Sequence, residues 1–265
     1  MSELPVTKLQ VHVRQATGAD DLLLLERPAN NRRAALGLVA RLISLPDGET
    51  YDWSSLPVTD FQAALLLLRR ASLGDAVRSE AGCATEGCSA RIQIWFRISD
   101  YLAHHQPHTP ADVELAEDSG WFRIHDLGVK FRLPTAADLI ALEEASAIRH
   151  GLKKTTKHDL AELMIRPLTL CSGALRRVEA AMAALAPDLN GILEGSCPDC
   201  HNKVHVYFNV EQFVVREFLD HAAFLPQDVH LLASRYRWAE EAILALPRSR
   251  RILYAEMLKQ EEGKA

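Results

Sequence analysis

Four of the five cysteines in this 265-residue chain fall in two short pairs, Cys83-Ala-Thr-Glu-Gly-Cys88 and Cys197-Pro-Asp-Cys200. Thiolates two to four residues apart in a tight turn supply two ligands each, and two such turns complete the closed four-sulfur shell that zinc takes in structural sites. Closing the long loop between the pairs costs about 4 kcal/mol of chain entropy. A structural zinc contributes about 10–16 kcal/mol, so the metal outweighs the closure. The expectation is one structural Zn2+ on Cys83, Cys88, Cys197 and Cys200. Two alternatives stay open, a redox pair at Cys197/Cys200 and unligated thiols. A thioredoxin-like pair opens a helix after a buried strand, whereas here the strand-like run Lys203 to Phe208 follows the cysteines. His201 and His205 are reserve ligands. Cys171, in the apolar stretch Leu-Thr-Leu-Cys-Ser-Gly-Ala-Leu, reads as a small core residue.

The segments around the two pairs match without gaps. Cys88-Ser-Ala-Arg-Ile-Gln-Ile-Trp-Phe-Arg-Ile aligns with Cys200-His-Asn-Lys-Val-His-Val-Tyr-Phe-Asn-Val. Ile92/Val204, Ile94/Val206, Phe96/Phe208 and Ile98/Val210 then share one strand face, and Trp95/Tyr207 the other. Tyr101/Phe213 and Leu102/Val214 open the helices that follow. The two halves read as copies of one unit, a cysteine turn, a strand and a helix.

Around these units helical spacing predominates. Helices are expected over Asp20 to Leu25, over Arg32 to Ile43 with a cap at Asn30 or Asn31, and from a cap at Thr59 or Asp60 through Ala71 to a stop at Gly74. Arg69 and Arg70 are assigned to the solvated side of the last of these. Pro46 to Pro57 reads as a loop. Arg91 to Ile98 is a strand leading to a helix cap at Ser99, and His104 to Gly120 a polar connection. Trp121 to Ile124 and Val129 to Leu133 flank a hairpin turn. Further helices run from Thr135 to about His150, Asp159 to Arg166 and Leu175 to Ala186, with a basic loop at Gly151 to Lys157 and three more helices after the second strand. The fold class is α+β, mostly helical, with a small antiparallel zinc-ribbon-like element built from two cysteine knuckles. Four regions, 1–76, 77–133, 134–190 and 191–265, are expected to interlock into one unit.

Several functions lose their usual support. There is no Gly-x-Ser-x-Gly elbow, phosphate-cradling loop, dinucleotide fingerprint or His-Glu-x-x-His helix. The adjacent acids Asp20/Asp21, Glu143/Glu144 and Glu240/Glu241 point in different directions on a helix and read as solvated faces. His221 and His230 suit helix-cap or contact roles better than catalysis. A four-cysteine shell leaves zinc no open position for a substrate. A formal charge of −5 opposes phosphate binding. No membrane-length apolar run or export signal is present, so a cytoplasmic location is expected.

The runs Leu-Pro-Val-Thr-Asp-Phe and Leu-Arg-Arg-Ala-Ser-Leu-Gly-Asp, the Cys-Pro-Asp-Cys knuckle with its strand, and Val229-His-Leu-Leu-Ala-Ser-Arg-Tyr-Arg-Trp-Ala-Glu-Glu-Ala-Ile-Leu-Ala-Leu-Pro resemble the T-even-phage-type baseplate hub assembly chaperone family, with relatives in bacterial contractile injection system loci. The likeness covers roughly residues 56–88 and 195–254. It departs at the four-residue first spacer and at His201, where such knuckles often carry Gly. It implies a non-enzymatic assembly chaperone or structural component of a contractile tail's baseplate hub, with hub or spike proteins as partners. The competing reading is a zinc-ribbon module for nucleic acid, using Arg91, Arg97 and Lys203 with Trp95 and Tyr207 as stacking surfaces.

The C-terminal helices are the expected partner surface. Val229, Leu232, Ala233 and Tyr236 form one apolar stripe, and Ile243, Leu244 and Leu246 a second. Beyond Pro247, Arg248, Arg250, Arg251 and Tyr254 bring together residue types enriched at interface hot spots. The plainer alternative is that both stripes pack on the core.

Overall fold

In the computed structural model, residues 1–26, 32–148, 164–167 and 171–262 are described. The chain is α+β, with helices outweighing the four small antiparallel sheets found among the described residues. Strands β1 (Ser2–Glu3), β2 (Gln10–Val13) and β3 (Ile43–Ser44) form a three-stranded sheet. Helices α1 (Gly18–Glu26) and α2 (Arg32–Leu42) lie between β2 and β3. The expected cap at Asn30 or Asn31 lies outside the described residues. A 3-10 turn at Trp53–Ser55 interrupts the expected loop, and α3 (Val58–Leu73) follows.

Helix α3 is the centre of the main core. Phe61, Ala63, Ala64, Leu65, Leu66 and Leu68 are fully buried, in one cluster with Leu4, Val39, Val214 and Phe218. Neither expected cap serves it. Thr59 donates instead to the Pro187 carbonyl at 2.9 Å. The buried Asp60 carboxylate accepts the backbone N–H groups of Val6 and Thr7, at 2.7 and 2.8 Å, and so fixes the N-terminal turn. Arg69 is not on a solvated side either. At 5% exposure it grips Glu217 through Nε at 2.7 Å, and its Nη1 donates to the Gly74 and Ala76 carbonyls.

Two hairpin-plus-helix units follow the same plan. The first is β4 (Ala76–Gly82), β5 (Arg91–Arg97) and α4 (Ile98–His104); the second is β10 (Gly191–Ser196), β11 (Lys203–Phe208) and α7 (Val210–Ala222). Each helix start is held by the residue just before its hairpin. Asp75 accepts the Ser99 N–H at 3.0 Å, and Asn190 accepts the Val210 N–H at 2.7 Å. Ser99 is therefore the recipient of a cap rather than its source. The aromatic residues aligned by the repeat meet between the units. Phe96 packs edge-on to Phe208 at 5.4 Å, flanked by Tyr101 at 5.3 Å and Phe213 at 5.2 Å.

A second core lies under β6 (Val113–Leu115), β7 (Trp121–Ile124), β8 (Val129–Arg132) and β9 (Ile165–Arg166), a four-stranded sheet in that order. The expected polar connection thus contains β6. The β7–β8 turn is the predicted hairpin, with Gly128 at φ 59°. Helix α5 (Ala136–Ile148) starts as expected, Asp138 accepting the Thr135 N–H at 2.9 Å. Of the helix expected over Asp159 to Arg166, residues 159–163 lie outside the described residues, as does the basic loop. Ile165 and Arg166 are instead a strand on β8. Helix α6 (Ser172–Leu185) covers this sheet through Val178, Ala181 and Leu185.

Among the described residues four helices, not three, follow β11, the last three being α8 (Leu225–Tyr236), α9 (Glu240–Leu244) and α10 (Arg248–Glu262). Pro226 in the first turn of α8 separates it from α7. No helix among the described residues is long and apolar enough to cross a membrane.

Candidate metal centre

Each cysteine turn is a β-hairpin end tightened by its own backbone. Cys83 donates its N–H to the Ala90 carbonyl at 3.0 Å, and Cys197 donates to Asn202 at 2.9 Å. These bonds close both loops so that the thiols face inward. Gly87, at φ 78°, folds the longer first spacer back on itself, and His201 takes the same left-handed region at φ 58°. Gly enters that region at little cost, which accounts for the preference for Gly at the His201 position. The second knuckle accommodates a side chain there by leaving it in solvent.

The two knuckles bring their sulfurs together from opposite halves of the chain. Cys83 Sγ lies 3.7 Å from Cys200 Sγ, and Cys88 Sγ 3.8 Å from Cys197 Sγ. All four sulfurs are within 4.8 Å of one another. A tetrahedral ion with metal–sulfur bonds of about 2.3 Å separates its ligands by about 3.8 Å, so the donor set and its spacing fit a metal ion. The separations are far beyond a disulfide bond, which is about 2.05 Å. Ala90, Ile92, Val204 and Val206 pack around the sulfurs. Of the four, Cys197 is the buried one, at 1% exposure.

Nearby hydrogen-bond donors favour thiolate at Cys200 and Cys83. The Asn202 N–H and then the Thr85 hydroxyl push the Cys200 thiol down to about 6. The Thr85 hydroxyl and N–H lower Cys83 as well. Cys88 receives the Ala90 N–H, which lowers it, yet burial and the neighbouring Cys197 and Cys200 thiols carry it up to about 12. Four sulfurs this close cannot all hold negative charge without a cation, and a divalent ion removes that repulsion.

The other expected site residues do not join this cluster. His205 faces Glu194 at 3.6 Å, and His201 is exposed. Cys171 is exposed at the start of α6, which corrects its reading as a core residue. His221 is half-buried, and burial followed by the Arg248 charge lowers its pKa; His230 is exposed.

The C-terminal arginines need a larger correction. Arg248 and Arg251, expected on a partner surface, are 1% and 0% exposed. Arg248 donates through Nε to Asp21 at 3.1 Å, and Arg251 donates to Asp21 at 2.8 Å and Asp228 at 3.3 Å. Asp21 is fully buried, so it is no solvated acid; its neighbour Asp20 is buried as well and pairs with Arg14 and Arg41. These carboxylates and guanidiniums bind α1 to α8 and α10. Both apolar stripes pack largely inward, Leu232, Ile243 and Leu258 forming a small core with Val229, Ala233 and Tyr254. Of the four expected contact residues only Arg250 is exposed, and Tyr254 is half-buried.

Compared with protein-family models, curated proteins and solved structures, the chain finds no match.

Proposed function

We propose that this chain is a non-enzymatic assembly chaperone or structural component of the baseplate hub of a contractile tail-like particle, held together by one structural zinc ion. The observation that carries the zinc reading is the convergence of four cysteine sulfurs, two from each half, at tetrahedral spacing. Four thiolates from rigid knuckles suit zinc over harder cations, which prefer oxygen. A shell filled by four sulfurs leaves no position for water or substrate, so the ion acts as a fastener between the two units. The baseplate role rests on the likeness of residues 56–88 and 195–254 to that family. It places the protein in the cytoplasm, with hub or spike proteins as partners.

Elemental analysis of the purified chain should give one zinc per molecule. Cys197→Ser should lose the ion and lower the melting temperature of the whole fold. No zinc, with four freely titratable thiols, would remove the metal reading. For the assembly role, particles reconstituted from sheath, tube, hub and spike proteins should form only when this chain is present during assembly. Normal particles without it would remove that role.

One observation favours the nucleic-acid reading. Trp95 and Tyr207, equivalent in the repeat, are 58% and 65% exposed on the outer strand faces, and Arg78 stands directly across the ladder from Trp95. The net charge of −5 opposes it. Quenching of Trp95 fluorescence by single-stranded oligonucleotides that persists at physiological salt would put this reading first.

A further inference from the structure

Helix α10 turns two different sides to its surroundings. Arg248, Arg251, Ala255 and Leu258 are buried on the side packed against α8, with Arg248 and Arg251 reaching Asp21 of α1. About a third of a turn away, at helical spacing, run Arg250, Leu253, Tyr254, Met257 and Glu261. Leu253 is 54% exposed and Met257 47%, and Arg250 and Glu261 are exposed. The apolar patch continues sideways. Trp238 packs edge-on to Tyr254 at 5.7 Å and lies 5.0 Å from Tyr236, and both Trp238 and Tyr236 are 38% exposed. Adjoining exposed apolar side chains of this kind mark interaction surfaces.

The order of residues along the stripe states what fits it. A cation stands at the N-terminal end, three apolar residues occupy the middle, and an anion stands at the C-terminal end. Both charges oppose their own helix dipole, since a helix favours anions at its start and cations at its end. A second copy of the same helix, laid antiparallel, reverses both penalties. Arg250 then faces the partner's Glu261 and the negative end of its helix, while Glu261 faces the partner's Arg250. The middle pairs Tyr254 with the partner's Met257, a sulfur–aromatic contact. Such a face is complementary to itself about a twofold axis, as a closed two-subunit interface requires.

We infer that the exposed face of α10, with Trp238 and Tyr236 beside it, is a homodimer interface in which two copies pair antiparallel through Arg250, Leu253, Tyr254, Met257 and Glu261. The interface is independent of the metal centre and of the baseplate role.

Sedimentation of the full-length chain over a wide concentration range tests this directly. The parent should shift reversibly from monomer to dimer. Leu253→Glu and Met257→Glu should each be monomeric throughout. Arg250→Glu should weaken dimerisation about tenfold, because the twofold axis converts two attractive pairs into repulsive ones at once. Adding Glu261→Arg to Arg250→Glu should restore it. Thermal melts at dilution, where the monomer prevails, should match the parent for all these variants. A chain that stays monomeric at every concentration overturns the inference. So does a dimer that tolerates Leu253→Glu, or one that the second charge reversal fails to restore.

Discussion

Replacing Asp21 by Ala is the most exacting test of how the C-terminal helix is held. The carboxylate is fully buried and accepts from both Arg248 and Arg251, themselves 1% and 0% exposed. Its removal leaves two guanidiniums in the interior with Asp228 as the remaining buried anion beside them. Breaking a buried pair by deleting one partner costs about 3–5 kcal/mol, most of it the desolvation of the charge left behind. For a chain of this size each kcal/mol lowers the melting temperature by about 2–4 °C. Asp21→Ala should therefore melt about 6–20 °C below the parent in a calorimetric scan. The triple variant Asp21→Leu/Arg248→Met/Arg251→Met should recover much of that loss, because no uncompensated charge remains. Arg216→Ala, in an exposed pair with Asp220, should stay within about 0.5 kcal/mol of the parent. An Asp21→Ala variant that melts within a degree of the parent would show that the buried cluster is not what fastens α10 to α1.

Three further perturbations follow from the same geometry. Burial raises Asp20, but Arg14, Arg41 and the Thr17 N–H and hydroxyl outweigh it and hold the carboxyl well below its usual 3.8; a depressed folded pKa gives stability that is present above the unfolded value and lost as pH falls below it. Asp20→Asn should accordingly flatten the loss of stability below about pH 4 in acid titrations followed by circular dichroism, and an unchanged acid limb would count against it. Gly18→Ala places a methyl group 2.9 Å from Leu244 Cα and 3.1 Å from its carbonyl oxygen, atoms of backbone that cannot swing aside; a loss of about 1–3 kcal/mol in urea unfolding is expected, and neutrality would mean that α9 can move. Asp75→Ala and Asn190→Ala each remove the acceptor that holds the helix after a hairpin, so each should cost about 1 kcal/mol in the same assay, and unequal effects would argue against equivalent roles in the two units.

What could be read from the sequence was what depends on neighbours in the chain. The cysteine spacings, the β7–β8 turn at Gly128 and the start of α5 at Thr135 are local patterns. Strands β4 and β10 escaped notice because Ala76-Val-Arg-Ser-Glu-Ala-Gly82 and Gly191-Ile-Leu-Glu-Gly-Ser196 are poor in β-branched and aromatic residues; pairing with β5 and β11, and the loops closed at the cysteines, make them strands. The charged residues failed for a different reason. A lone Arg or Asp reads as exposed, and what overrides that default lies far off in sequence: Glu217 is 148 positions from Arg69, and Asp21 is 227 from Arg248. The paired aromatics Phe96 and Phe208 were placed on one face by the repeat alone, and they meet there.

The tie between Asp21 and the final helix bears on how the chain is made. On the ribosome the first helix emerges with a carboxylate whose partners, Arg248 and Arg251, are made 227 and 230 residues later. Until Arg248 and Arg251 leave the exit tunnel that carboxylate has to remain hydrated, so α1 cannot seat fully in its native position. The first knuckle waits in the same way for Cys197 and Cys200. Contacts of such sequence separation slow folding and prolong the exposure of apolar surface. The stretch between these partners must therefore be made before either contact can form, and the apolar surface they cover stays open over that interval.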